Sequence, residues 1–266
     1  MAKNDYSISA FFPAYNDAGT ISSMVITVLL MLRELTDDYE VIVVNDGSQD
    51  HTAAVLDELA RVYTDEVRII HHPQNRGYGG ALRTGFYSAA KEWIFYTDGD
   101  AQYDPRELKN LAALVNDDVD FINGWKIERN DPLHRIVIGR LYQAIIKAAF
   151  GLRLRDVDCD FRLMRREVFE SVQLEANSGV ICVELMKKTQ DAGFRLTETP
   201  VHHFHRAYGK SQFFRFRRLA QVARDLTKLW YWLVWRKEAA LPPAVAAAPT
   251  ETAVAAHSQP YADRSH

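Results

Sequence analysis

Over its first 123 residues the chain alternates short β-branched and aromatic runs with longer stretches in which apolar residues recur every three or four positions. This rhythm predicts a parallel sheet covered by helices, since each crossover helix returns the chain to the same end of the sheet. The predicted strands are Tyr6 to Phe12, Tyr39 to Asn45, Val67 to His71, Glu92 to Thr97 and Val119 to Asn123. Between them, helical spacing predicts helices over Asp17 to Leu35, Asp50 to Val62, Gly79 to Ala90 and Pro105 to Val115. Some starts carry cap chemistry. Ser48 and Asp50 precede an apolar-periodic run, and Asp104-Pro105 sets a cap residue before a proline at the first helical position.

The pattern then changes. A helix is predicted over Leu133 to Phe150, followed by a charge-dense loop from Arg153 to Arg166 and a His-, Phe- and Arg-rich segment from Val201 to Phe216. From Phe213 to Trp235 apolar residues return at helical spacing (Phe216, Leu219, Val222, Leu226, Leu229, Trp230, Leu233), with Arg215, Arg217, Arg218, Arg224 and Lys228 on other faces. Two arrangements satisfy that pattern: a helix lying on an anionic lipid surface, or a helix packed on the protein's own core or a dimer mate. The Ala/Pro-rich stretch from Ala239 to His266 has few groups that build a core, which predicts a disordered tail. The predicted organisation is therefore one α/β domain over 1–212 dividing near residue 123, a basic amphipathic helix over 213–238, and a tail over 239–266.

Bulk properties narrow the function. A composition of 47% hydrophobic and 25% charged residues is that of an ordinary globular protein, and a formal net charge of -3 gives no general attraction to nucleic acid. Cys159 and Cys182 form no metal-like or disulfide-like pattern, which fits a reducing cytosol. Met1 to Ser7 is polar and predicts no signal peptide. The longest apolar runs, Val28 to Leu32 and Leu229 to Trp235, fall well short of the roughly 20 residues that span a bilayer. The expectation is a cytoplasmic protein that touches a membrane without crossing it.

In parallel sheets ligands bind beyond the C-terminal strand edges. Those edges read Pro13-Ala14-Tyr15-Asn16, Asn45-Asp46-Gly47-Ser48, His72-Pro73-Gln74-Asn75-Arg76-Gly77 and Asp98-Gly99-Asp100. Asp98 and Asp100 end the buried-strand run Trp93 to Thr97, and Gln102 adds a further oxygen, a donor set suited to a divalent cation facing phosphate. Asp118-Val119-Asp120 and Asp158-Cys159-Asp160 repeat the spacing without that context. A helix-capping turn is the competing explanation, but Asp104 suffices as that cap. Asp46 suits a ribose hydroxyl or a base N–H, or else an ordinary type I turn. Asn75 to Gly80 resembles a phosphate-cradling loop entering a helix. It lacks both the third glycine of the dinucleotide fingerprint and a Walker lysine, which removes motif support for a dehydrogenase or an ATPase. Neighbouring histidines at His71-His72 and His202-His203-His205 would face opposite sides of a strand, so structural or anion-contacting roles are expected, with His205 beside Arg206 the best placed.

Taken in order, Pro13-Ala14-Tyr15-Asn16, Asn45-Asp46-Gly47-Ser48-x-Asp50-x-Thr52, Asn75-Arg76-Gly77 and Asp98-Gly99-Asp100-Ala101-Gln102-x-x-Pro105 resemble the nucleotide-sugar half of family 2 inverting glycosyltransferases. Gly124-Trp125-Lys126-x-x-Arg129-x-Asp131-x-x-x-Arg135-x-x-x-Gly139-Arg140 resembles the acceptor segment of polyprenyl-phosphate hexose synthases, the group that includes dolichyl-phosphate mannose synthase. Asp158-Cys159-Asp160-Phe161-Arg162-x-x-x-Arg166 and His205-Arg206-x-x-Gly209-Lys210-Ser211 extend the likeness, which covers about Ser7 to Ser211. It implies a GT-A fold, a Rossmann-like, mainly parallel sheet flanked by helices, with a nucleotide-sugar half at 1–123 and an acceptor half at 124–212.

The resemblance also implies roles. Pro13, Tyr15, Asp17 and Asp46 would hold the nucleoside, and Asp98, Asp100 and Gln102 a Mg²⁺ or Mn²⁺ and the diphosphate. Lys126, Arg129, Arg135 and Arg140 would grip the acceptor phosphate, and Arg76, Gly77, His205, Arg206 and Lys210 would contact anionic ligand groups. Asp98, Asp100, Arg129 and Arg135 are the residues expected to carry catalysis. Asp17, Asn45 and Gly139 depart from the family's usual glutamate, aspartate and serine. The expected reaction is hexose transfer from a UDP- or GDP-sugar to a polyprenyl phosphate at the cytoplasmic membrane face. The alternatives are transfer to a soluble hydroxyl acceptor, with Asp158, Asp160 or Glu184 as base, and a nucleotide-sugar-binding protein without turnover.

Overall fold

The structure, a computed structural model, describes the backbone of residues 3–129, 133–205 and 216–237, and their side chains except at 128–129, 133–137 and 216–219. The predicted tail over 239–266 lies outside the described residues.

The first strand, β1 (Ile8–Ala14), is buried along its whole length, as is β4 (Trp93–Thr97). Their alternate side chains enter two separate cores. Phe11 of β1, Ile42 and Val44 of β2 (Tyr39–Asn45), and Ile94 and Tyr96 of β4 face one; Phe12, Val41, Val43, Trp93 and Phe95 face the other. This is the two-sided burial that near-continuous apolar strands require. With β3 (Val67–His71), the strands β1 to β4 run parallel. The second core is closed by α1 (Ile21–Leu35), α2 (Thr52–Val62) and α4 (Leu108–Ala112), the last preceded by a 3-10 turn over Pro105–Glu107. Asp104 caps that turn by accepting from Arg106 N, as expected of a cap residue before Pro105.

The sheet holds seven strands in the order β3-β2-β1-β4-β6-β5-β7, and the first core is closed by α3 (Tyr78–Ser88) and the helices that follow β5 (Phe121–Arg129). The segment read as a loop, Arg153 to Arg166, contains β6 (Phe161–Arg165), which runs antiparallel to its neighbours β4 and β5. Its central Arg162 disguised it: the guanidinium is fully buried and bonds Asn123 Oδ1 (3.0 Å), the Tyr96 hydroxyl (3.1 Å) and the Val157 carbonyl (2.7 Å). Tyr96, Arg162 and Asn123 share one register row, so a single cation ties β4, β6 and β5 together. The strand presumed around His202-His203 is present as β7 (Leu196–His203), which starts five residues before the His-, Phe- and Arg-rich segment and is an edge strand, a place that tolerates Pro200.

The helix predicted over Leu133 to Phe150 forms as α5 with those bounds. Two helices, α6 (Glu167–Ser171) and α7 (Ile181–Asp191), had no clear apolar period. The last helix, α8 (Phe216–Trp230), continues into a π-type turn over Tyr231–Trp235. Leu229 and Leu233 are buried in the first core, Val222, Leu226 and Trp230 pack against it, and the Trp230 indole donates to Ala149 O (2.9 Å). Of the two arrangements the sequence allowed, α8 therefore takes the packed one, on the protein's own core.

Close approach of helix to sheet is set at Gly85, where a Cβ would meet the Phe11 ring at 2.3 Å. Gly85→Ala is expected to cost about 1–3 kcal/mol in urea unfolding, the usual range for overpacking; an unchanged midpoint would contradict this packing.

Candidate active site

The strand order reverses between β1 and β4, the place where an open sheet forms its ligand crevice. Here the loops after the two strands touch: a Cβ at Gly99 would lie 3.2 Å from Pro13 O and 3.8 Å from Asp17 Oδ2. The Thr20 hydroxyl also donates to Gly99 O (2.8 Å). Tyr15 is partly exposed, and its N–H donates to Asp17 Oδ2 (2.9 Å). Asn16, at φ 59°, donates its N–H to Ser48 Oγ (3.0 Å) while its side chain accepts from Gln49 N (2.8 Å). The loops after β1 and β2 are thus laced together, with Asp50 receiving Thr52 N and Oγ1 as a local cap.

Asp46, expected to face a nucleoside, is buried; its Oδ1 accepts from His72 Nδ1 (2.7 Å) and from Arg76 N (2.8 Å). It braces the phosphate-type loop against β2. The Arg76 side chain is exposed beside that loop. Gly77, at φ +83°, precedes α3, and Gly79 N donates to Asn177 O (3.0 Å). A Cβ at Gly79 would stand 2.1 Å from Ala176 O, so the glycines admit the 174–177 loop as well as shaping a turn.

Asp98 and Asp100 stand at the end of β4. The Tyr78 hydroxyl donates to Asp98 Oδ1 (2.8 Å), and Gln102 N to Asp100 Oδ1 (3.0 Å). Burial, reinforced by the charges of Asp160 and Asp100, pushes the Asp98 carboxyl well above the usual carboxylate range, while Tyr78 pulls it down. Asp160 in turn accepts from the Tyr96 hydroxyl (2.5 Å) and from Cys182 Sγ (3.2 Å). Gln102 Nε2 donates to Phe204 O (3.1 Å), which holds the segment leading to exposed His205 beside the two aspartates. These hard oxygens and their mutual repulsion suit a divalent cation. Among the described residues no three His, Cys, Asp or Glu side chains form a complete cation cage.

Two strands away, at about 10 Å by ordinary strand spacing, a cavity of about 350 Å³ opens beside the C-terminal half of β5. Lys126, Arg140, Lys147 and Arg155 line it together with Asp156, Gln143 and Trp125. Lys126 Nζ donates to Asp158 O (2.6 Å) and lies 3.7 Å from Asp156 Oδ2; burial opposes its charge, but Asp156 together with Cys159, Asp158 and Asp160 lifts its pKa. Gln143 Nε2 holds Asp156 Oδ1 (2.5 Å), and the Arg155 guanidinium lies over the Trp125 ring (4.9 Å). Of the predicted phosphate-gripping residues, the cavity therefore gathers Lys126 and Arg140. Arg129 ends β5 opposite His203, and Arg135 lies in the first turns of α5; their side chains are outside the described set, as are Arg206 and Lys210 altogether.

Sequence reading gave no role to Tyr78, Tyr96, Lys147 or Arg155, and it quoted Arg162 only as part of a motif, without the bonds it makes to Asn123 and Tyr96. Glu184, a candidate base, is corrected. Fully buried in α7, it accepts from Glu175 N and Ala176 N and pairs with Lys188 (2.7 Å), so it anchors the 174–177 loop. His72 and His202 are likewise structural, bonding Thr84 with Asp46 and Glu107 respectively.

Residues 9–173 match the description "Glycosyl transferase family 2", and the chain belongs to that family. It is 34% identical over 203 residues to the glycosyltransferase AglD of Haloferax volcanii, covering 73% of this chain and 32% of that one. It is 27% identical over 219 residues to the undecaprenyl-phosphate 4-deoxy-4-formamido-L-arabinose transferase of Proteus mirabilis, covering 82% of this chain and 66% of that one. This chain therefore spans a third to two thirds of the length of these relatives. Its fold is that of glucosyl-3-phosphoglycerate synthase from Mycobacterium tuberculosis, solved with Mn²⁺, UDP and glucosyl-3-phosphoglycerate (TM-score 0.66, 18% identity, 90% of this chain and 82% of that one). The same synthase has been solved with Mg²⁺ and UDP (TM-score 0.65, 17% identity). The GT-A class expected from the motifs is thus the class observed.

Asp158 supplies a test of the cavity's electrostatics. Burial, with Asp156 and Asp160, raises its pKa from 3.8 to about 6 against the pull of Lys126. The folded state therefore binds this proton more tightly, so its contribution to stability falls as pH rises from about 4 to 6. The full penalty, of order 3 kcal/mol, stands above that window. Asp158→Asn should flatten this part of the pH–stability curve in urea unfolding; a variant whose stability falls as steeply as the wild type would contradict the assignment.

Proposed function

We propose that the chain transfers a hexose from a UDP- or GDP-sugar to a polyprenyl phosphate, with inversion, at the cytoplasmic face of a membrane. The observation that carries this reading is the pairing of two chemically opposite sites on one sheet edge, an acidic crevice between β1 and β4 and a basic cavity beside β5. The first suits a nucleoside diphosphate with a cation, the second a phosphate. The relatives named for undecaprenyl phosphate support the acceptor class.

In this reading Asp98, Asp100 and Gln102 hold Mg²⁺ or Mn²⁺, which when bound neutralises the leaving diphosphate. Pro13, Tyr15, Asp17 and Asp46 shape the nucleoside end, with Arg76, Gly77, His205, Arg206 and Lys210 at its anionic groups. A phosphate monoester has a second pKa near 6 and is mostly dianionic at pH 7, so it attacks the anomeric carbon without a general base. The protein's task is then to position it, which Lys126, Arg129, Arg135 and Arg140 perform by charge-assisted hydrogen bonds. A hydroxyl acceptor is the second reading; the closeness of Asp160 to Asp98 favours it by offering a base.

A lipid acceptor calls for a membrane-facing surface. Ile138, Leu141 and Ile145 on α5 lie at helical spacing and are 57%, 61% and 56% exposed, with Arg140 among them in sequence and Lys147 two residues after Ile145. Trp235 and Tyr231 add exposed aromatic surface past the end of α8. This surface, rather than the packed stripe of α8, supports peripheral membrane contact.

Three outcomes are expected. Asp100→Ala abolishes transfer of radiolabelled hexose into the organic phase; retained turnover would sink the donor-site assignment. Arg140→Ala raises the KM for polyprenyl phosphate about tenfold with the donor KM unmoved, and a change confined to the donor would contradict it. Replacing Ile138, Leu141 and Ile145 together by serine abolishes flotation with anionic vesicles; unchanged flotation would place the contact elsewhere.

A further inference from the structure

We propose that Tyr78 is a positioning residue of the donor site, which sets the orientation of the Asp98 carboxylate through its hydroxyl. This rests on the glycosyl-transfer reading of the crevice. A carboxylate turns about a broad terminal torsion, so a side chain standing free at a strand end has no fixed donor geometry. Here the phenol of Tyr78, the first residue of α3, crosses from the loop after β3 to the loop after β4 and donates to Asp98 Oδ1 at 2.8 Å. Asp98 Oδ2 accepts no hydrogen bond from the described residues. One oxygen is tied and the other is left for ligand.

The phenol is itself fixed. On its N-terminal side Gly77, at φ +83°, accepts the turn into α3, and its N–H donates to Asn75 Oδ1 (3.0 Å). On its C-terminal side Gly79 N donates to Asn177 O (3.0 Å). The 174–177 loop that receives Gly79 is gripped from two directions. Glu184 takes Ala176 N (2.9 Å), and the Arg83 guanidinium reaches Ala176 O (3.2 Å) and Asn177 Oδ1 (2.5 Å). Tyr78 is therefore a donor on a rigid mount, aimed at a carboxylate crowded by Asp100, Asp160 and Asp17. No aliphatic residue at this position offers a proton to that oxygen.

The test is Tyr78→Phe, which keeps the ring and removes only the donor. Protein-bound Mn²⁺ is counted by electron paramagnetic resonance in titrations with UDP and with GDP, beside the thermal midpoint. The expected result is Mn²⁺ binding weakened about tenfold, the scale of a lost hydrogen bond to a charged group. The expected coupling is that Tyr78→Phe adds little further loss once Asp98→Asn is present. A purely structural tyrosine would lower the midpoint, leave Mn²⁺ binding unmoved, and give losses that add in full to those of Asp98→Asn; that pattern overturns the proposal while the wild-type binding keeps the donor-site reading intact. A wild-type chain that takes up no Mn²⁺ with either nucleotide overturns the donor-site reading and the proposal with it.

Discussion

The structure is organised around a concentration of carboxylates at its ligand crevice. Asp98, Asp100, Asp160 and Asp17 meet where the strand order reverses, and burial there makes each unbalanced charge costly. Among the described residues, Asp98 and Asp160 are met by dipoles: the hydroxyls of Tyr78 and Tyr96, and the thiol of Cys182. The buried cation Arg162 acts one step removed, through the Tyr96 hydroxyl. In the proposed function this site receives a cation and a diphosphate.

The same arginine explains how the two halves hold one geometry. The parallel strands β1 to β4 are held by apolar burial on both faces, whereas β5 and β6 join them through a row in which Tyr96, Arg162 and Asn123 are bonded side by side. Breaking a buried, fully bonded guanidinium from its partners is strongly unfavourable. The distance between the acidic crevice and the basic cavity is therefore set by a rigid sheet, and a transfer reaction needs that fixed separation.

Much of this was legible in the chain. β2, β3 and α5 have the predicted bounds because their apolar periods are uninterrupted, and the motifs at the ends of β1, β2 and β4 meet because parallel strands carry their C-terminal ends to one edge. β6 was hidden by Arg162, a charge that reads as solvated until its three acceptors are known. β7 was presumed at its two histidines, while its start was hidden by Glu198 and Pro200, which an edge strand tolerates. Tyr78 looked like a spacer between glycines, since nothing local shows that its hydroxyl crosses to Asp98. Glu184 looked like a base because an acidic residue near the acceptor segment carries no mark of the backbone it caps. For α8 the sequence offered two arrangements, and only the burial of Leu229 and Leu233 separates them.

The central claim is that the cavity beside β5 receives a phosphate, which attacks the donor sugar unaided by a base. Turnover with radiolabelled UDP- and GDP-hexoses is best measured on a polyprenyl phosphate and on the same polyprenol lacking its phosphate, side by side in vesicles. The account predicts organic-phase label from the phosphate alone, with no transfer to the alcohol. Equal labelling of the two lipids, or transfer only to a soluble hydroxyl acceptor, would contradict it.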